Sequence, residues 1–418
     1  MPRCPDAPIN DNLFGYSHVS DGFCLPDPGF AKGIYLSSTA ETGTLRKTAL
    51  NGLHRKLGAK MVDFGGWDMP VEYPGGGGLM KEHLAVRTGV GMFDVSHMGD
   101  ILIRGPQALD ATQWISMNDA SRLQEGQAHY SALLYPEGTF VDDVIVHKLG
   151  QNDYLLVINA GTREKDHGWV KKNVSRFRCH ADDVGDYYTQ IAIQGPKAEA
   201  TLQKLTDVDL SPIKNYWFKH GTVCGLPNTL IARTGYTAED GFEIYVPSDV
   251  PASERVWNEV AEAGREFGIL PCGLGARNTL RLEGKMALYG HEISDTINVW
   301  EAVLDRFCKM DKGDFIGRAA LEKGKAEGLK RILVGLEAVD RGIPRDGYKV
   351  FDSASQEVGY VTSGSYAPFL KKNIALAYLP PSLSELGTEI FVEIRGQQVK
   401  CKVVPTPFYK RPKKAISS

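Results

Sequence analysis

The sequence predicts a mixed helix-and-strand chain of two or three domains that ends in a small β-barrel or sandwich. Three observations predict it. Its 418 residues are too many for one compact domain, at roughly 100–200 residues each. Helical and strand spacings are interleaved from Leu45 to about Phe315. Beyond that point six short strand candidates follow one another, with turn residues between them.

Residues 1–44 stand apart. Pro2, Pro5, Pro8, Pro26 and Pro28 are spread among Gly, Ser and Asp without periodicity, so an unstructured arm, an unrecognised peptide or an over-long start is expected. Further on, Leu79–Arg87 has helical spacing, with Gly89 as its stop. Asp100–Arg104 reads as a short strand ending in a turn. Thr139–His147 is β-rich, and Tyr154–Ile158 is its expected hairpin partner. Val250–Phe267 reads as a helix with Val256, Val260 and Ala263 on one stripe, and Gly273–Leu288 as a second. The late strand candidates are Arg331–Leu336, Lys349–Phe351, Val358–Val361, Ile374–Tyr378, Glu389–Ile394 and Val399–Val404. Asp346-Gly347 and Arg395-Gly396 are turns among them. A boundary is expected near residues 315–330.

Composition excludes several classes. A net charge of −3 lacks the basic field that a general nucleic-acid binder needs. No run approaches the ~20 apolar residues that span a bilayer, and no charged start leads into an apolar signal core. The seven cysteines are dispersed without a C-x-x-C pair, which suits reduced thiols in a cytoplasmic protein. Neither they nor the histidines show a metal-ligand spacing, so no metal is expected. The Gly75–Gly78 run lacks the Lys-Ser/Thr of a phosphate loop and reads as a flexible surface loop.

Three segments are candidates for chemistry. Asp142 and Asp143 lie in a run of Val, Ile and Phe, and strand alternation points them opposite ways. Asp143 is expected to share its face with Val141 and Ile145. Each is either a satisfied core carboxylate or one aimed into a cavity. Glu243 shares a strand face with Tyr245, opposite Phe242 and Ile244. It is either an outward residue of an amphipathic strand or a carboxylate offering two oxygens to a planar N–H/NH₂ fork. Arg277 and Arg281 are four apart on one helix, as a solvated pair or an anion clamp.

The motifs Gly58-Ala-Lys-Met-Val-Asp-Phe-Gly-Gly-Trp67, Gly91-Met-Phe-Asp-Val-Ser-His-Met-Gly99, Val141-Asp-Asp143, Gln194-Gly-Pro196, Arg233-Thr-Gly-Tyr-Thr237, Asp240-Gly-Phe-Glu243, Gly273-Leu-Gly-Ala-Arg277, Leu288-Tyr-Gly290 and Thr362-Ser-Gly364 occur in this order. Together they resemble the T-protein of the glycine cleavage system, a tetrahydrofolate-dependent aminomethyltransferase family, from about Leu45 to Arg411. The resemblance implies an α+β, multi-domain fold. Two mixed α/β domains, interleaved over 45–318, would surround a central folate channel, and a C-terminal β-barrel would occupy 319–415. It implies transfer of a one-carbon unit from an aminomethyl-lipoyl carrier (H) protein to tetrahydrofolate. Ammonia is released and 5,10-methylenetetrahydrofolate forms. Glycine decarboxylase and dihydrolipoyl dehydrogenase would be system partners. Another folate-dependent transferase or demethylase of the same superfamily is the alternative.

Carried over by position, Asp143 is similar to the family's catalytic carboxylate and Glu243 to its pterin-reading carboxylate. Tyr130, Asn159 and Tyr236 match positions lining the pterin and its linker. Arg277 matches a substrate-binding arginine, and Tyr409 is expected near the same channel. The chain departs from the family pattern at Asn278, where Asp is usual. It departs again across Asn298–Phe307, and at Thr237-Ala238, where Thr-Gly is commoner.

Overall fold

Alternation along the strands of two antiparallel sheets builds the middle of the molecule. The structure, a computed structural model, describes residues 44–412, so the expectation for the N-terminal arm up to Gly43 lies outside the described residues. The first sheet runs in the order Gln127–Leu134, Phe140–Gly150, Asp153–Ile158, Gly99–Arg104, His180–Asp183. Ile101, Ile103, Val144, Val146, Leu156 and Ile158 point from it into a core closed by the helices Ala108–Ile115 and Arg163–Val174. The second sheet runs in the order Phe218–Val223, Leu226–Ala232, Gly241–Pro247, Tyr188–Gln194, Gly91–Asp94, Leu270–Pro271. Its last pair, Leu270–Pro271 on Gly91–Asp94, is parallel. Ile191, Ile193, Phe242 and Ile244 face a second core, closed by the helices Ala198–Leu202 and Val250–Ala263. Each sheet thus buries one face under helices, and the period of two leaves every other side chain for the opposite face.

The last third closes into a six-stranded barrel, in the order Ile332–Ala338, Lys372–Leu379, Glu357–Ala367, Lys349–Phe351, Glu389–Ile394, Gln397–Val404. These are the six strands expected from sequence. Arg395 and Gly396, at φ 53° and 77°, make the two-residue turn that joins the last two. Closure removes the exposed edges that six short strands would otherwise present. The barrel packs on the rest through a shared core. Phe140, Leu282 and Phe315 meet Leu333, Leu376 and Tyr378 there.

Three local expectations need correction. The helix from Val250 ends at Ala263; Gly264 breaks it, and Arg265–Phe267 is a separate 3₁₀ turn. Trp257, buried beside Val256 and Val260, is the large residue of its apolar stripe. The helix expected to reach Leu288 is Leu274–Glu283 and stops at Gly284. There Lys285 turns to φ 54°, and the Met286 N–H bonds back to the Arg281 carbonyl at 2.9 Å. Gly284 cannot carry a side chain, because a Cβ there would meet the Ala238 Cβ at 2.7 Å. Last, Gly75–Gly78 is not simply a loop. Gly75 and Gly76 sit in a 3₁₀ turn, and Gly77 and the buried Gly78, both at positive φ, start the helix Gly78–Thr88.

Candidate active site

The faces that the two cores leave over look onto one cavity. Asp143, Ile145 and Val157 reach it from the first sheet, and Gln190, Ala192, Glu243 and Tyr245 from the second. Arg277 enters from the helix Leu274–Glu283. With its open mouth the cavity measures about 1270 Å³. Tyr130, Tyr216, Tyr236 and Phe307 line much of the rest, a wall suited to a flat, partly polar ligand.

Asp143 owes its place to a bulge. Leu133 pairs with Asp142 but Leu134 pairs with Phe140, so Val141 is an extra residue. Val141 therefore turns into the outer core with Val144 and Val146, rather than sharing the face of Asp143 and Ile145 as simple alternation predicts. The two aspartates are not isolated from each other either. The Asn159 amide donates to Asp142 Oδ1 at 2.8 Å and to Asp143 Oδ1 at 2.9 Å. The Asp143 N–H also donates to Asp142 Oδ1 at 2.9 Å. Burial, and then the neighbouring Asp142 charge, push the Asp143 carboxyl up to about 7. The nearby Tyr130 hydroxyl and the hydrogen bond from Asn159 oppose that rise.

Glu243 is set by the strand Gly241–Pro247, opposite Ala192 and Ala232. The Thr234 hydroxyl donates to its Oε2. Among the described residues no donor reaches Oε1. Burial raises its proton affinity, while Thr234 and the Arg277 charge lower it. Arg277 lies with its guanidinium 4.5 Å from the centre of the Tyr236 ring. Its side chain makes no hydrogen bond among the described residues, and burial holds its proton affinity below the usual arginine value. The Tyr236 hydroxyl donates to the Ala287 carbonyl, which ties the ring to the loop after the helix.

The structure brings Asp143, Glu243, Arg277, Tyr130, Asn159 and Tyr236 into this one cavity. Tyr409 stands apart from it. Its ring lies over the Arg87 guanidinium at 4.0 Å and against Phe369 at 5.4 Å. Arg281 also leaves the expected clamp. It is buried and bonds Glu292 at 2.7 Å and Ser363 at 2.8 Å, joining the helix to the barrel. Asn278 accepts from Arg281 Nε at 2.9 Å and so belongs to this bridge.

Sequence reasoning missed Gln190, Tyr216, Lys285 and Arg306, all of which line the cavity. A signal existed for Gln190: Gln190, Ala192 and Gln194 alternate with Ile191 and Ile193 along one strand. None existed for Lys285 or Arg306, which reach the cavity from the turn after the helix Leu274–Glu283 and from the 3₁₀ turn Asp305–Phe307. Among the described residues no cluster of three or more His, Cys, Asp or Glu could hold a metal ion. No helix there is long and apolar enough to cross a membrane.

Comparison with known proteins is consistent across the chain. Residues 50–312 match the GCVT N-terminal domain, and residues 331–410 match the glycine cleavage T-protein C-terminal barrel domain. The chain is 71% identical over 371 residues to an aminomethyltransferase of Koribacter versatilis, covering 89% of this chain and 98% of that one. It is 69% identical over 378 residues to one of Acidobacterium capsulatum, covering 90% and 99%. The crystal structure of the glycine cleavage system aminomethyltransferase T from Bartonella henselae superposes with a TM-score of 0.82 at 32% identity, over 88% of this chain and 99% of that one. The protein is an α+β, multi-domain enzyme of the aminomethyltransferase type. The chain belongs to the glycine cleavage T-protein family, which is tetrahydrofolate-dependent.

Proposed function

We propose that the cavity between the two sheets is where this chain moves a one-carbon unit from an aminomethyl-lipoyl carrier protein to tetrahydrofolate. The observation that carries this reading is the pairing of two carboxylates, Asp143 and Glu243, on facing walls of one tyrosine-lined cavity. The residues fit the folate. The amide N–H and 2-amino group of a pterin form a planar donor fork, and Glu243 offers it an oxygen that no donor among the described residues occupies. Tyr130 and Tyr236 supply ring faces for a flat heterocycle, and Arg277 supplies a cation that forms no ion pair among the described residues.

When bound, tetrahydrofolate supplies the N5 nucleophile that accepts the carbon as ammonia leaves. Glu243 anchors the pterin, and the tyrosines hold its plane. Asp143, with its raised proton affinity, exchanges a proton with the folate amine near neutral pH, where a group of that affinity is present in both forms. Asn159 holds the Asp143 carboxylate in place through the bond at 2.9 Å. Most of the acceleration comes from orientation, which brings the reacting atoms to roughly 3–3.5 Å.

A lipoylated H protein is the proposed donor, with glycine decarboxylase and dihydrolipoyl dehydrogenase as system partners. Cytoplasmic residence is proposed from the dispersed cysteines. The division into a pocket-bearing part at 45–318 and a barrel at 319–415 is proposed with it. Ammonia release from the aminomethylated carrier, dependent on tetrahydrofolate, tests the reading. Asp143→Asn is expected to lower turnover ~10²-fold or more, the usual scale for losing a positioned acid–base group. Folate affinity should change far less, because the lost interaction acts mainly in the transition state. A variant with near wild-type turnover would remove Asp143 from the reaction.

A further inference from the structure

Behind the cavity lies a third carboxyl group that the reaction above does not use. Asp166, on the helix Arg163–Val174, is fully buried, and its carboxyl meets that of Asp142, also fully buried. Asp142 is surrounded by donors: Thr162 Oγ1 at 2.5 Å, Asn159 Nδ2 at 2.8 Å and the Asp143 N–H at 2.9 Å. Among the described residues Asp166 has none, and neither of its oxygens receives a hydrogen bond there. The Lys165 ammonium lies 3.3 Å from Asp166 Oδ1, but it donates instead to the Val141 carbonyl and the Tyr289 hydroxyl.

We propose that Asp166 and Asp142 form an acid–carboxylate pair, with the proton on Asp166, and that this pair positions a fixed negative charge beside Asp143. Two touching carboxyls in a water-poor site cannot both ionise. Hydrogen bonds to the ionised form decide which of them does, and here all three donors serve Asp142. The proton on Asp166 turns an orphaned buried acceptor into a donor toward Asp142, which satisfies both groups. Burial, and then the adjoining Asp142 carboxylate, favour the protonated form of Asp166; the Lys165 charge and the nearby Thr162 hydroxyl, which donates to Asp142, oppose it.

Asp142 and Asp166 are therefore positioning residues. The Asn159 amide spends one N–H on Asp142 and one on Asp143, so the two carboxylates are held in one frame. The ionised Asp142 raises the proton affinity of Asp143. The other groups facing Asp143 are Tyr130, Tyr216 and Tyr236, with Arg277 as the cation.

The kinetic half of this proposal rests on Asp143 as the reacting carboxylate; the structural half does not. Infrared spectra of the free, full-length protein at neutral pH test the structural half. Among the C=O stretches of buried carboxylic acids in wild type, one component should disappear in Asp166→Asn and persist in Asp143→Asn, where the separate contribution of Asp143 is lost. Identical wild-type and Asp166→Asn spectra in that region would overturn the pair. Kinetics test the other half. Asp142→Asn removes a negative charge next to Asp143, so the acid limb of the turnover profile should move to lower pH by about one unit. Asp166→Asn, neutral like the acid it replaces, should leave that limb where it is in wild type. A limb unmoved in Asp142→Asn, or moved as far in Asp166→Asn, would overturn the positioning role. Should Asp143→Asn remain active while the infrared band behaves as expected, the catalytic assignment fails and the carboxyl pair stands.

Discussion

Burial raises the proton affinity of both Glu243 and Asp143, but the two are satisfied differently. Glu243 is satisfied on one oxygen by Thr234 and open on the other, so its charge is useful chiefly to a ligand. Glu243→Gln should weaken tetrahydrofolate binding by roughly 2–4 kcal/mol, since one charge-assisted bond is lost and two donors are set against each other. Unchanged affinity in a calorimetric titration, with the fold intact, would mean that Glu243 does not read the ligand. Asp143 instead burdens the free protein. Its folded proton affinity, at about 7, lies above the ordinary carboxyl value of 3.8. A raised value means that its contribution is most favourable below pH ~4 and is lost as pH rises through about 7. Asp143→Asn should therefore raise stability by about 1–3 kcal/mol at pH 8, and by much less at pH 4. Equal gains at both pH values in chemical denaturation would show that the carboxylate is not strained by burial. At this scale the sequence was partly legible. Residue types and spacing singled out both carboxylates, but the Val141 bulge and the shared Asn159 amide depend on pairing with the neighbouring strands.

Turns and helix ends decide how the elements meet at the cavity. In the turn between the strands Leu226–Ala232 and Gly241–Pro247, Ala238 holds φ 62°, a conformation that costs an L-residue roughly 1 kcal/mol. Such a conformation favours Gly at that position. Ala238→Gly should raise stability by roughly 0.5–1 kcal/mol, read as a higher urea midpoint at unchanged slope, because relieved strain outweighs the added chain entropy. A fall in the midpoint would show that the methyl packing on Gly284 matters more. The helix Leu274–Glu283 shows what sequence conceals. Arg277 and Arg281 look equivalent by spacing, yet one opens onto the cavity and the other is buried on Glu292. Only the approach of the barrel, through Ser363 and Thr362, separates them.

Across the whole molecule, the barrel and the pocket-bearing part share a core. Leu333, Leu376 and Tyr378 of the barrel pack with Phe140, Leu282 and Phe315 outside it. The Tyr378 hydroxyl bonds the Glu292 carbonyl at 2.7 Å, and the Thr362 hydroxyl bonds Glu292 Oε1 at 2.7 Å. Unfolding either part alone would expose that core and strip the buried Glu292–Arg281 pair of its partners, at a cost of several kcal/mol. Calorimetry should accordingly show one transition for the 44–412 region, with matching calorimetric and van't Hoff enthalpies. Two resolved peaks would show that the barrel melts by itself.

The sequence by itself determined the spacing of most elements, the six barrel strands and the candidate carboxylates Asp143 and Glu243. Those depend on local spacing and residue type, which a chain carries with it. The tertiary structure decided where two helices stop, which arginine faces the cavity, and why Tyr409 packs on Arg87 rather than lining the site. It also decided the company of Asp142. Asp142 takes its neighbours from distant elements, as with Asn159, 17 residues further on, and Asp166 on the helix Arg163–Val174. Burial and pairing of charge follow from that assembly, because the energy of a charge depends on what surrounds it in space and not on what precedes it in the chain.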